Sequence, residues 1–181
     1  PTNTKWLLTV FFAFTISLGL CFLSISYTLH LGYMLQVFIA DIIATFVIYG
    51  FSVAYKNSSF YDPYLSVIPP FILLFWLWKQ DFVLSGTSSL LIYAMLFWSI
   101  RLTTNWIKTW EGLHHEDWRY IDMRKNLGSS FEFLGNFGGI HFFPTLIVFF
   151  CCMPMGATLS LQEVVPYTSM HAYAGFFICI L

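Results

Sequence analysis

Long apolar runs limit this chain to folds that cross a membrane. Four runs, near residues 6–29, 32–55, 82–100 and 137–160, are about as long as the roughly 20 residues with which a helix crosses the hydrocarbon core. Only 9% of the 181 residues are charged, which is too few to cover the surface of a soluble domain of this size. The sequence therefore predicts an all-α, polytopic bundle of membrane-spanning helices.

Two further apolar segments are less regular than these four. Residues 61–78 contain Pro69 and Pro70, so this segment is either a span or a re-entrant piece. Residues 165–181 end within apolar sequence, and we expect the natural chain to continue beyond them. With both segments counted, residues 1–181 form a single transmembrane domain with about six spans.

Basic residues divide unequally between the two sides of this predicted bundle. If all six segments cross, one side holds only Lys79, and the other side holds Lys5, Lys56, Arg101, Lys108, Arg119, Arg124 and Lys125. The excess predicts that the N-terminus and residues 101–132 lie on the inner side. We expect the endoplasmic reticulum membrane for an enzyme, or the mitochondrial inner membrane for an accessory subunit. Membrane lipids are the expected surroundings, and nothing in the composition favours nucleic-acid binding.

Residues 101–132 concentrate the charge of the chain. At about 100° per residue, Arg101, Asn105 and Lys108 share one face of a helix that continues the fourth span to about residue 112. An apolar stripe on another side contains Leu102, Trp106, Trp110 and Leu113. A cation and an amide one turn apart suit a phosphate or carboxamide ligand. The alternative is that these tryptophans and cations only anchor the end of a span.

Residues 114–120 pack five ionisable groups and two aromatic rings together. If this stretch is helical, Glu111, His115 and Arg119 are four residues apart and can form a hydrogen-bonded ladder. A metal site is not predicted, because adjacent histidines point about 100° apart on a helix and no His-x-x-x-His pair occurs.

Asp41 lies near the middle of the second predicted span. A carboxylate there costs roughly 2.5–3.5 kcal/mol on insertion scales, so it has either a chemical role or a bonding partner. The partner hydroxyl is predicted on Tyr49 or Tyr93. In the purely structural interpretation, Asp41 is protonated and bonds a neighbouring helix, such as the one that carries Tyr93. A proton-coupled transporter is a further alternative, although no second intramembrane charge accompanies Asp41.

Three sequence words follow one another between about residues 55 and 135. They are Ser59–Pro69, Phe97–Trp106, and Glu116–Tyr120 with Gly112 ahead of it. In content and order they resemble the multi-pass membrane proteins related to steroid 5α-reductase, especially the uncharacterised branch. The resemblance implies a membrane oxidoreductase that uses NADPH to reduce an activated double bond of a lipid or sterol-like substrate.

The same resemblance implies roles for individual residues. Steroid-reducing relatives use a carboxylate and a tyrosine to polarise the substrate carbonyl, and Asp41 with Tyr93 are the candidates here. The implied cofactor-binding residues are Asp62, Arg101, Asn105, Glu116, Asp117, Arg119 and Tyr120. The family's cofactor motif, with an Arg-His-Pro-Asn-Tyr core, does not occur in this sequence. The chain is therefore expected to be either a fragment or an inactive relative that serves as an accessory subunit among other membrane subunits.

Overall fold

The computed structural model describes residues 4–127, 133–160 and 170–180, and these residues form helices and connecting turns without any strand. The helices are α1 (Thr4–Tyr27), α2 (Tyr33–Tyr55), α3 (Tyr64–Lys79), α4 (Gly86–Thr109), α5 (Trp118–Leu127), α6 (Phe143–Ser160) and α7 (Met170–Ile180). A short 3₁₀ turn at Ser58–Phe60 precedes α3, and a π-helical turn at Leu134–Phe142 leads into α6. The predicted all-α class is confirmed.

Five helical units in the described residues are long and apolar enough to cross a membrane. They cover 4–27, 33–55, 58–79, 86–109 and 135–159, the positions of five of the six segments predicted from sequence. The sixth prediction, 165–181, coincides in part with the short apolar helix α7, and its first residues lie outside the described ranges. The chain is therefore an integral, multi-pass membrane protein.

Helices α1 and α2 form a closely packed antiparallel pair. Small side chains allow the close approach, because Ala13, Ser17 and Ala44 are almost completely buried along the contact. The Sγ of Cys21 donates to the carbonyl of Ala40 at 3.1 Å, and the hydroxyl of Ser17 donates weakly to the carbonyl of Ala44 at 3.4 Å. The pair is thus joined by packing and by polar contacts that hydrocarbon could not replace.

Helix α3 continues through its two prolines and is a span rather than a re-entrant piece. A proline at position 70 has no N–H for the carbonyl four residues earlier, which belongs to Ser66. The hydroxyl of Ser99 on α4 donates to that carbonyl at 2.7 Å. The hydroxyl of Ser66 lies 2.9 Å from that of Thr103, one turn further along α4. The neighbouring helix therefore supplies the hydrogen bond that the proline removes.

Helix α6 closes the bundle against α3. A Cβ at Gly156 would lie 2.8 Å from the methyl group of Met34 and 3.0 Å from the indole of Trp76, so a larger residue would have to displace these side chains. Trp76 is 3% exposed as a result. The apolar core therefore lies where α1, α2, α3 and α6 meet.

Replacing Ser99 tests the α3–α4 contact. We expect Ser99→Ala to leave the Ser66 carbonyl without a donor and to destabilise the protein by about 1 kcal/mol. The melting temperature in detergent, followed by size-exclusion chromatography after heating, should fall by about 2–4 °C. Thr15→Ala is the control, because that hydroxyl bonds only the Phe11 carbonyl of its own helix. Equal melting of both variants and the parent would show that the carbonyl does not need Ser99.

Candidate functional site

The acid inside the bundle, Asp41, is bonded to a tyrosine. The hydroxyl of Tyr64, at the start of α3, donates to Oδ1 of Asp41 at 2.5 Å and lies 2.9 Å from the Asp41 backbone carbonyl. Asp41 is 3% exposed and Tyr64 is fully buried. The other carboxyl oxygen, Oδ2, is buried and has no hydrogen-bond partner among the described residues.

A chain of hydroxyl groups surrounds this pair. The Oγ1 of Thr45 lies 3.2 Å from the Tyr64 hydroxyl and 2.8 Å from the Oγ1 of Thr145 on α6. Thr145 donates to the His141 carbonyl at 2.8 Å, so it accepts at its oxygen from Thr45 and from the Tyr61 hydroxyl, which is 2.6 Å away. These contacts bring α2, α3 and α6 together around the carboxyl.

His141 forms a second buried link between α2 and the π-helical turn. Its Nδ1 lies 2.9 Å from the Asn136 carbonyl, which can only accept, so Nδ1 carries the proton. Its Nε2 then accepts from the Ser52 hydroxyl at 2.9 Å. The ring is fully buried, and these two hydrogen bonds satisfy both of its nitrogens.

Asp41 forms part of the wall of an apolar cavity of about 490 Å³. The cavity lies between α1, α2 and α3, and its other walls are aliphatic and aromatic apart from Cys21. Several lining side chains are also on the outer surface of the bundle, where Phe22 is 68% and Leu74 50% exposed. A lipid can therefore reach the cavity from the side of the bundle. Among the described residues that line it, Asp41 is the one carboxylic acid.

The position of Asp41 favours its neutral form. Transferring an ionised carboxylate into an apolar environment is far more costly than transferring the acid. One neutral hydroxyl donor at Oδ1 compensates only part of that cost, and no cation contacts Asp41 in the described part of the chain. A protonated Asp41 is a hydrogen-bond donor within an apolar cavity, which is the chemistry that polarises a carbonyl.

The hydroxyl partner of Asp41 differs from the one predicted. Tyr93 lies on α4 and is 64% exposed on the outside of the bundle. Tyr49 packs its ring against Phe137 and His141 instead. Tyr64 takes the position because α3, not α4, packs beside α2 at this depth. We therefore replace Tyr93 by Tyr64 in the candidate site.

The second polar centre is a junction between two loops at one end of the bundle. We call residues 57–62, 113–120 and Arg124 the loop junction. Asn57 donates through Nδ2 to the carbonyls of Leu113 and His115 at 2.9 and 3.1 Å. The backbone N–H of Ser58 donates to Glu116 at 2.7 Å. The first and third sequence words are also bonded directly to each other, because the backbone N–H of Asp117 donates to the Ser59 hydroxyl at 3.1 Å.

Charged groups of the loop junction are paired within the junction itself. Arg124 makes an ion pair with Glu116, and the Tyr120 hydroxyl donates to Asp62. Asp117 accepts two hydrogen bonds from the Arg119 guanidinium, at 2.9 and 2.7 Å. The predicted cofactor residues Asp62, Glu116, Asp117, Arg119 and Tyr120 therefore lie together, but they bond one another or Arg124.

These contacts determine the charge states of three junction residues. Hydrogen bonds from Arg119 lower the pKa of Asp117, and Asp117 raises the pKa of Arg119. The pair therefore stabilises the fold above the ordinary pKa of aspartate, and the effect is lost as the pH falls through the lowered value. Burial, followed by the charge of Asp62, raises the pKa of Tyr120, so its hydroxyl remains a neutral donor at physiological pH.

Helix α4 ends earlier than predicted, at Thr109 rather than near residue 112. Gly112 has φ of +111°, and a Cβ there would lie 2.8 Å from the Trp6 indole, so the chain turns where only glycine fits. Glu111 and His115 are consequently in an extended loop. The predicted ladder of Glu111, His115 and Arg119 is wrong for this reason.

Arg101 and Asn105 do not bond to residues of the loop junction. Both are exposed on α4, and neither has a side-chain hydrogen bond or ion pair within residues 4–127, 133–160 and 170–180. On another side of the helix, Trp106 and Trp110 stack with ring centroids 4.8 Å apart, and Trp110 is 7% exposed. The apolar stripe faces the core and leaves the polar face open.

The fold and these polar centres define a polytopic helical membrane protein with an acid buried in the bundle. A family model matches residues 48–181, and the chain belongs to that family, DUF1295, which is described as a protein of unknown function. The match includes Tyr64, Thr145 and the loop junction, whereas Asp41 precedes it. Neither the comparison with curated proteins nor the comparison with solved structures gave a match.

A double-mutant cycle tests which ion pair fixes the loop junction. The Glu116–Arg124 pair is enclosed, with side chains 9% and 22% exposed, so Glu116→Gln and Arg124→Gln should show a coupling free energy of about 1–3 kcal/mol in unfolding. The Asp117–Arg119 pair is the control, because Arg119 is 62% exposed and solvent screens the pair to about 0.5 kcal/mol or less. Similar coupling in both cycles would contradict the role given to Glu116.

Proposed function

We propose that this chain is a membrane-embedded reductase that acts on an activated double bond of a lipid or sterol-like substrate, with NADPH as the hydride donor. The observation that carries the proposal is a carboxyl, held by a tyrosine, in the wall of an apolar cavity within the bundle. The resemblance to proteins related to steroid 5α-reductase supports the same conclusion.

The substrate class follows from the cavity wall. Aliphatic and aromatic side chains from three helices favour a hydrocarbon skeleton, and the exposed lining residues favour entry from the bilayer. In the enones that the resemblance implies as substrates, the carbonyl oxygen would accept a hydrogen bond from protonated Asp41. Tyr64 donates to the other carboxyl oxygen and fixes the orientation of the acid.

Asp41 would act as an electrophilic and general-acid group. A hydrogen bond to the carbonyl withdraws electrons from the conjugated double bond and stabilises the negative charge that develops on oxygen. Such a positioned acid typically contributes about 10²–10⁴-fold to the rate. Thr45 and Thr145 would pack beside the Tyr64 hydroxyl and would not themselves touch the substrate.

The open face of α4 suits the anionic part of the cofactor. Arg101 presents a guanidinium and Asn105 an amide one turn away, a donor set that fits phosphate oxygens. NADPH bound there would supply the hydride. Asp62, Glu116 and Asp117 fit this role less well, since each carboxylate already bonds a junction partner and would repel a phosphate. We assign the loop junction to holding the loop that follows α4.

The orientation of the chain is part of the proposal. The 56–63 turn and the loop after α4 lie at the same end of the bundle. Lys56 is in the turn, and Lys108 and Arg119 lie on the helices that flank the loop. We assign this end to the cytosolic side of the endoplasmic reticulum membrane, where a water-soluble nicotinamide cofactor is at hand.

Asp41→Asn tests the reductase directly. The amide keeps the size of the side chain and can still accept from Tyr64, but it is not an acid. With the protein in phospholipid nanodiscs and a long-chain enone as substrate, kcat from NADPH absorbance should fall about 10²–10⁴-fold, with NADPH binding unchanged. Asp81→Asn is the matched control, because Asp81 is exposed with φ of +50°, a conformation that asparagine tolerates.

Two outcomes would contradict this proposal in different ways. If Asp41→Asn reduced the enone as fast as the parent, the acid would lie elsewhere and the reductase could stand. If the parent neither bound NADPH nor reduced any enone in a lipid extract, the accessory-subunit alternative would replace the reductase.

A further inference from the structure

A second cavity, of about 690 Å³, lies beside the loop junction and differs in character from the apolar one. Its wall contains the cationic side chains of Lys56 and Arg124 together with the polar side chains of Ser52 and Asn136. The rings of Tyr49 and Phe133 also line this cavity. The cavity opens at the end of α2, where the helix ends and the chain turns into the 3₁₀ segment.

Lys56 supplies charge that the described residues do not neutralise. It is the C-cap of α2, with φ of +51°, and its backbone N–H bonds back to the helix, so the turn fixes its position. The side chain is exposed, and neither ion pair in the described part of the chain includes it. A basic side chain held at the rim of a cavity attracts an anion.

Arg124 is fixed at the wall by other groups. Glu116 accepts from two of its nitrogens, and Ser58 lies 3.2 Å from Nη1. A guanidinium that is already oriented loses little conformational freedom when it binds a further oxygen. With Arg124 paired to Glu116, the cavity wall retains the net positive charge of Lys56.

Neutral donors and acceptors add selectivity for an oxyanion over a hydrocarbon. Ser52 carries a hydroxyl and Asn136 carries an amide at the cavity wall. The hydrogen bond to His141 holds Ser52 in place, and the hydrogen bond from Ser58 holds Asn136 in place. A metal cation is disfavoured by the two basic side chains. An uncharged lipid tail is disfavoured by the polar wall, because it would bury these groups without hydrogen bonds.

We propose that this polar cavity binds the phosphate group of a ligand, with Lys56 and Arg124 as its cationic contacts. The phosphate belongs either to a phospholipid headgroup at the membrane surface or to a soluble phosphate compound, and both present the same oxyanion. The site stands on the charges of this cavity and does not depend on the reductase proposal. It is also separate from Arg101 and Asn105, which do not line it.

Two binding measurements on the intact protein in phosphatidylcholine nanodiscs test the site. In one arm inorganic pyrophosphate is titrated by calorimetry. In the other, nanodiscs that contain phosphatidic acid are compared with phosphatidylcholine alone by native mass spectrometry of retained lipid. Saturable binding in either arm is expected, and the arm that binds identifies the source of the phosphate. Absence of binding in both arms would overturn the proposal.

The variants connect that binding to this cavity. Lys56→Asn removes the charge and suits the positive φ, and it should weaken binding by about tenfold or more, the effect of a lost charged hydrogen bond. Lys56→Arg should retain binding. Lys79→Gln removes a cation at the C-terminal end of α3, the end away from the 56–63 turn and outside this cavity, and serves as the control, with less than a twofold change expected. Equal affinity of Lys56→Asn and the parent, with the protein still folded by chromatography, would overturn the assignment.

Discussion

Hydrocarbon offers no hydrogen bond, so a polar group inside this bundle depends on another helix for its partner. The carbonyl released by Pro70 accepts from Ser99, and the carboxyl of Asp41 accepts from Tyr64. Each of these bonds also determines which helices are neighbours, since an unbonded partner would cost free energy on both sides. The polar residues that a membrane protein can least tolerate are therefore the ones that specify this fold.

The two polar centres differ in how their buried polar groups obtain hydrogen-bond partners. Around Asp41, neutral hydroxyls from α2, α3 and α6 gather, and one carboxyl oxygen has no hydrogen-bond partner among the described residues. At the loop junction, where water is near, opposite charges pair and hold two loops together. We assign a chemical role to Asp41 because one of its carboxyl oxygens has no hydrogen-bond partner among the described residues. We assign a structural role to Glu116 because its carboxylate is paired with Arg124.

The spans could be predicted from sequence because run length alone determines whether a helix can cross a membrane. Asp41 could be identified because an acid in an apolar run is conspicuous. Its neighbour Thr45 was also within reach, since four residues place two side chains on one helix face. The Tyr64 partner and the contact with Thr145 could not be predicted from the sequence. They depend on how α3 and α6 pack against α2, and no local sequence pattern indicates that packing. The helix end at Thr109 was missed because it depends on the positive φ of Gly112 and on the Trp6 ring beside it.

Labelling with dicyclohexylcarbodiimide tests whether Asp41 is a protonated acid that a molecule dissolved in the lipid reaches through the apolar cavity. This membrane-soluble reagent couples to protonated carboxyl groups in apolar surroundings. We predict that peptide mass spectrometry of the protein in nanodiscs at neutral pH finds the adduct on Asp41, and that a long-chain enone slows its formation. An unlabelled Asp41, with the adduct confined to exposed acids such as Asp81, would contradict the account.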